Sequence, residues 1–326
     1  MKKIKLIYIT TLFLTLTVFF VTSCYSQNTT SPYSVYGVGD IDYKAYDRTS
    51  GMAGTGLALQ SSTFLINNNP AGIAGLTRSF YLFNVGVTGK TVQFSGTPVD
   101  ASNSNSKDVW IKAVSLSVKI NKFWASSFGF GQFSSINYKF SGNKQVEGSS
   151  SQYLIGYSGD GGLNDYYWTN AVSLGKHFSF GIKSSLIAGA SNQSELITDQ
   201  SVSATIQSTQ QDYFRHLRFE YGAIYNNSLS KNWDFSVGSK FSNKTKLPSD
   251  RTLTVLQNGV SIISNQYITS NQLFLPTSAG VGLALTHNKR TTFAADYSFE
   301  NWTPLGENGT GWQLTNNNRV SAGLEL

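Results

Sequence analysis

Charge is scarce in this chain: Lys, Arg, Asp and Glu make up 13% of its 326 residues, about half the share of a soluble domain. It has one cysteine, Cys24, which excludes an internal disulfide. Mean hydropathy is only −0.18, so the chain is not a bundle of membrane helices. The net charge of +7 comes from positives scattered along the chain, whereas nucleic acid would need a concentrated basic patch. His177, His216 and His287 lie far apart in sequence without metal-ligand spacing. Nucleic acid, a metal and a stapled scaffold are thereby set aside, and no cofactor motif is present. Gly51–Gly56 has neither a preceding strand nor a following Gly-Lys-Ser/Thr, so it is not a nucleotide loop.

What the chain has in quantity is 21 Phe, 17 Tyr and 30 Gly, with many Ser and Asn. That mixture fits a membrane β-barrel, whose strands are half apolar and half polar. A secreted β-sandwich is the competing reading. Residues 1–26 form a signal peptide, with Lys2, Lys3 and Lys5 ahead of an apolar stretch to about Val21. Val21-Thr22-Ser23-Cys24 also resembles a lipobox, which makes Cys24 a candidate lipidation site. Cleavage after Ser26 is favoured, because a barrel needs no lipid anchor.

From Arg78 onward the pattern has a period of two. Tyr81, Phe83, Val85 and Val87 share a face, and the same holds for Phe178, Phe180 and Ile182, for Leu217, Phe219 and Tyr221, and for Val281, Leu283 and Leu285. The opposite faces carry Gly, Ser and charge, which suits a wet lumen. Trp110 is grouped with Val114, Leu116, Val118 and Ile120, a face interrupted by Lys112. Trp124, Tyr166, Trp168, Trp233 and Trp302 sit where an interfacial girdle would. Tight connections at Asn121-Lys122, Gly175-Lys176, Ser230–Asn232 and Asn288-Lys289 alternate with long polar segments at 92–107, 142–164, 191–210 and 301–316, the outer-membrane arrangement. Asn258-Gly259 predicts a type I′ hairpin that either extends the wall or folds over its mouth. In 124–140 the alternation breaks near Phe128–Phe133, where Gly129 and Gly131 are candidates for a kink, or for glycines packed closely against the interior.

Before the strands comes Asn67-Asn68-Asn69-Pro70-Ala71-Gly72-Ile73-Ala74. Three Asn can satisfy a turning backbone, and Pro70 forces Asn69 out of the helical region. This reads as a compact knot tying a small-residue segment to the wall. The predicted domains are the signal peptide, a hatch or plug at 27–77, and a barrel wall at 78–326. Roughly ten wall strands and an ending in mid-alternation predict that further strands belong to the barrel.

The Asn-Pro-Ala-Gly stretch resembles the signature of FadL-type outer-membrane transporters of hydrophobic compounds. Leu275-Pro276 with Gly280–Ala284, and Ala295–Trp302 with its Asp296, are similar to two further regions of that family. The resemblance implies about fourteen strands around an N-terminal hatch, with Asn69, Pro70 and Ala71 as the hatch signature. It implies passive passage of a hydrophobic or small amphipathic molecule, leaving sideways at a kinked strand, in the outer membrane of a Gram-negative cell. Outer-membrane lipid and a hydrophobic small molecule are the expected partners. The alternative is a non-transporting scaffold or partner of secretion-complex proteins. The histidines lie in no catalytic motif, so an enzyme is not expected.

Overall fold

The computed structural model describes residues 31–43, 46–77, 81–93, 105–145, 152–199, 204–269, 273–305, 308–309 and 312–326. The signal peptide and Cys24 lie outside the described residues. The account below concerns the compact unit of residues 29–88 and 110–326.

In chain order the strands are β1 (Asp40–Ile41), β2 (Tyr81–Gln93), β3 (Asn105–Lys119), β4 (Trp124–Gln145), β5 (Gln152–Leu174), β6 (Phe178–Asp199), β7 (Ala204–Ser228), β8 (Trp233–Ser242), β9 (Thr245–Leu247), β10 (Ser249–Gln257), β11 (Val260–Ile268), β12 (Leu273–Leu275), β13 (Thr277–His287), β14 (Thr291–Asn301), β15 (Asn308–Gly309), β16 (Trp312–Gln313) and β17 (Asn317–Glu325). The described helical elements are short 3-10 turns at Pro32–Val35, Arg48–Met52, Pro70–Gly75 and Thr303–Leu305. One sheet dominates, in the order β17-β14-β13-β8-β7-β6-β5-β4-β3-β2, with antiparallel neighbours from β17 to β3.

The two faces of the wall follow the alternation. Phe83, Val87, Phe180, Ile182, Leu217, Phe219, Val281, Leu283 and Phe293 are exposed, while Ser117, Ser127, Thr169, Ser179 and Ser185 are buried. So large an outward apolar surface is stable only against hydrocarbon. Trp124, Tyr166, Trp168 and Trp233 are exposed with it. Trp302 is not: it is buried and donates its indole N–H to Glu300 at 3.0 Å. Outward residues on β14 are odd-numbered (Phe293, Tyr297), so an even-numbered Trp just past the strand falls on the inner side.

Two further expectations are corrected, and one left open between two alternatives is decided. Ile111 is exposed and Lys112 buried on β3, so Trp110 is out of phase with the outward Leu116 and Ile120. Segments 142–164 and 191–210 are not loops but mostly strand, since β4 to β7 run 22, 23, 22 and 25 residues. About 9–11 residues span a bilayer, so these strands continue past the membrane, where both faces meet water and polar sequence mimics a loop. Finally, the 251–263 hairpin extends the wall: β10 pairs with β7 from Ser249↔Phe214 to Gln257↔Ile206. Its turn has φ of 50° at Asn258 and 80° at Gly259, as a type I′ turn requires.

The interior is not uniformly polar. Val38, Leu163, Ile187, Phe214, Leu247 and Leu275 form a buried apolar cluster, flanked by Ile41, Phe133 and Leu273. The short sheet of β9 and β12 turns inward to supply Leu247 and Leu275.

Candidate functional site

The site is the contact between the N-terminal segment and the inner face of the wall. At Asn69-Pro70-Ala71 the backbone enters a 3-10 turn with Asn69 as N-cap, its side-chain oxygen accepting the Ala71 N–H at 3.0 Å. The other end of the same amide donates to the carbonyl oxygens of Leu57 (2.7 Å), Ser239 (3.1 Å) and Ala223 (3.2 Å). One fully buried side chain thus joins its own turn, a second N-terminal stretch, and strands β7 and β8. Pro70 and Ala71 lie against β6, where a Cβ at Gly181 would stand 2.3 Å from the Pro70 carbonyl carbon.

Gly181 belongs to a row. Gly222 lies directly across from it, and Gly238 directly across from Gly282. A Cβ at Gly222 would sit 1.9 Å from Asn69 Oδ1, one at Gly238 1.9 Å from Leu57 O, and one at Gly323 2.4 Å from Met52 Cβ. The row is a track cleared of side chains, along which the N-terminal segment lies on the wall.

Charge alternates beside that track. Asp165 on β5 pairs with Lys183 on β6 at 2.6 Å, and Glu220 on β7 with Lys240 on β8 at 3.7 Å. Asp296 on β14 and Arg319 on β17 bind the N-terminal segment itself. Asp296 Oδ2 accepts the backbone N–H of Gly56 at 2.6 Å and of Leu57 at 3.0 Å. Arg319 donates to the carbonyls of Tyr43 and Ala53, both at 2.9 Å. The charge-assisted bonds of Asp296 replace the water that the buried backbone of Gly56 and Leu57 has lost, whereas those of Arg319 lie at the exposed edge of the segment. Lys119 donates to the Ala74 carbonyl, at the end of the 3-10 turn.

A second contact lies at β4. The β3–β4 pairing runs from Lys119↔Ala125 to Ala113↔Gly131. Beyond it, the same edge of β4 pairs with β1, Ile41↔Ser134 and Asp40↔Ser135. The register shift on β4 falls between Gln132 and Ser134. Gly129 and Gly131 precede it in regular register, opposite Tyr167 and Asp165. A Cβ at Gly129 would meet the Tyr167 hydroxyl at 2.5 Å, so that glycine makes room for an inward Tyr. The N-terminal segment follows β4 further: Asp42 N–H donates to Phe133 O at 2.9 Å, Ser134 Oγ to Val38 O at 2.7 Å, and Asn137 N–H to Ser34 Oγ at 3.1 Å. Lys112 pairs with Asp42 at 3.0 Å. Burial, then the hydrogen bond to Asp42 and its charge, push the Tyr46 phenol above its ordinary range.

Between the N-terminal segment and the wall lies a cavity of about 330 Å³, lined by Ile41, Leu57, Phe133, Tyr167, Phe299 and Trp302 together with Asp165, Lys183, Arg218, Glu220, Lys240 and Asp296. Its lining is amphipathic. His177 and His287 stand apart, one against Tyr225 and the other against Trp233. Among the described residues no three His, Cys, Asp or Glu are grouped to hold a metal.

An antiparallel wall, apolar outside and polar within, defines an outer-membrane β-barrel. The structure is similar to the Ralstonia pickettii toluene transporter TbuX, at TM-score 0.50 and 12% identity over 86% of this chain and 78% of that one. It is also similar to a Pseudomonas aeruginosa FadL homologue, at TM-score 0.52 and 12% identity over 89% and 77%. At such identities the likeness is one of fold. A search of the curated proteins finds no match to the sequence. The chain belongs to the BamG family, whose model matches residues 4–325. The resemblance read from Asn69-Pro70-Ala71 is therefore to the FadL fold, whereas the family shown by sequence is BamG.

Proposed function

We propose that this barrel is a passive channel of the outer membrane for small amphipathic and hydrophobic molecules, with residues 27–77 as its hatch. The observation that carries the reading is the amphipathic cavity between hatch and wall, bounded by Ile41 and Phe133 where β1 stands in for β3. Withdrawal of β1 from β4 opens that place sideways, and a molecule in the cavity then reaches the bilayer without crossing the polar surface. Toluene transport by one barrel of this fold supports the class of cargo. The ion pairs around the cavity keep their solvation better beside a polar group than beside an alkane, which favours amphipathic cargo over purely aliphatic cargo. The reading is tested by uptake of aromatic solutes of graded polarity into liposomes holding the purified barrel. Uptake faster than in empty liposomes supports it, and equal rates reject it.

A second reading, a partner subunit of an outer-membrane secretion complex, is favoured by a separate observation. β4 to β7 and the β10–β11 hairpin carry a sheet well beyond the membrane, which offers a surface for other envelope proteins. Stable co-purification of other envelope proteins, with no solute uptake, would favour this reading over the first.

A further inference from the structure

Four short connections of the main sheet lie at one end of the wall, and each of the four carries a cation. Lys122 lies between β3 and β4, Lys176 between β5 and β6, Lys231 between β7 and β8, and Lys289 with Arg290 between β13 and β14. All five side chains are exposed, and none makes an ion pair among the described residues. The acids at this end are engaged elsewhere: Asp234 accepts from Ser228 at 2.5 Å, and Glu325 pairs with Arg48 at 2.7 Å. Beside the cations stand exposed aromatics, Phe123, Phe178, Trp233 and Phe293, and Lys122 Nζ lies 4.8 Å from the Phe123 ring.

We propose that this rim binds anionic phospholipid headgroups in the leaflet it faces, the phosphates seated on the turn cations. Interfacial aromatics mark the edge of the hydrocarbon, and a lysine one turn beyond them reaches the phosphate layer. The cations are spread around the perimeter, where lipid is the neighbour. A protein partner would need an apolar centre within a contiguous patch, but the turns present Asn121, Gly175, Ser230, Asn232 and Asn288. The proposal is independent of whether the barrel transports.

The test is native mass spectrometry of the full chain released from nanodiscs of equal phosphatidylglycerol and phosphatidylcholine. Phosphatidylglycerol should be retained over phosphatidylcholine by about fivefold or more. In K122Q/K176Q/K231Q/K289Q/R290Q the preference should vanish, whereas K244Q/K246Q, at the far end of the strands, should keep it. Equal retention of the two lipids by the wild type, or a preference that survives the five substitutions, overturns the proposal. Should the five-site variant not fold, the wild-type preference must still fall as salt is raised. A salt-insensitive preference overturns the proposal as well.

Discussion

The carboxylate of Asp296 accepts the backbone N–H of Gly56 at 2.6 Å, across 240 residues of sequence. One wall strand thereby holds the N-terminal segment by its main chain, leaving that segment's side chains to pack. The sequence-level resemblance included Asp296 without a role for it; the structure makes it an anchor. Asp296→Asn keeps an acceptor oxygen but loses the charge. We expect a loss of about 1–2 kcal/mol of hatch stability, read as faster proteolysis within 46–77 while the wall keeps its heat-modifiable mobility on gels. Unchanged proteolysis would remove Asp296 from the anchoring role.

Asn69 carries more. Asn69→Ala removes the amide's bonds to the carbonyls of Leu57, Ala223 and Ser239 and removes the N-cap. A destabilisation of about 3 kcal/mol is expected, measured by denaturant unfolding in detergent micelles. A change below about 0.5 kcal/mol would mean that water enters and satisfies these groups, so that the knot is not closed.

The glycine track makes a paired prediction. Gly222→Val places methyl groups on Asn69 and should displace the hatch at a cost of about 2 kcal/mol or more. Gly142→Val meets nothing within 4 Å and should be neutral within about 0.5 kcal/mol. Equal effects at the two positions would show that the loss belongs to glycine in a strand, not to hatch contact.

The girdle can be read with light. In single-tryptophan variants, lipids brominated along their chains should quench Trp168 and Trp233, which are exposed on the outer face, and leave Trp302 bright. Quenching of Trp302 would place it outside the lumen and overturn its assignment to the cavity lining.

Much of the wall was legible because a period of two survives wherever one face meets lipid and the other the lumen. It failed where that contrast ends. Above the membrane both faces of β5 to β7 are wet, so Ser-, Asn- and Gln-rich strand reads as loop. At Trp302 residue type argued for the outer face and parity against it, and parity was the better guide; at Trp110 parity itself misled, because the phase of β3 changes between Lys112 and Leu116. Gly181, Gly222, Gly238, Gly282 and Gly323 were visible only as small residues on the polar face. Their common purpose needs the register, which aligns them into a track. The Ile187–Phe214–Leu247–Leu275 cluster was hidden because its residues lie on four strands, and β9 and β12 are too short to show a period. The partnership of Asp296 with Gly56 could not be read from either residue alone.

The most direct measurement of the central claim is solute uptake by Ile41→Cys/Ser134→Cys, a pair placed opposite each other in the β1–β4 register. Oxidation staples β1 to β4 and should abolish uptake into liposomes, and reduction should restore it. Full uptake with the staple closed would contradict a sideways exit at this strand and with it the gating role of the hatch.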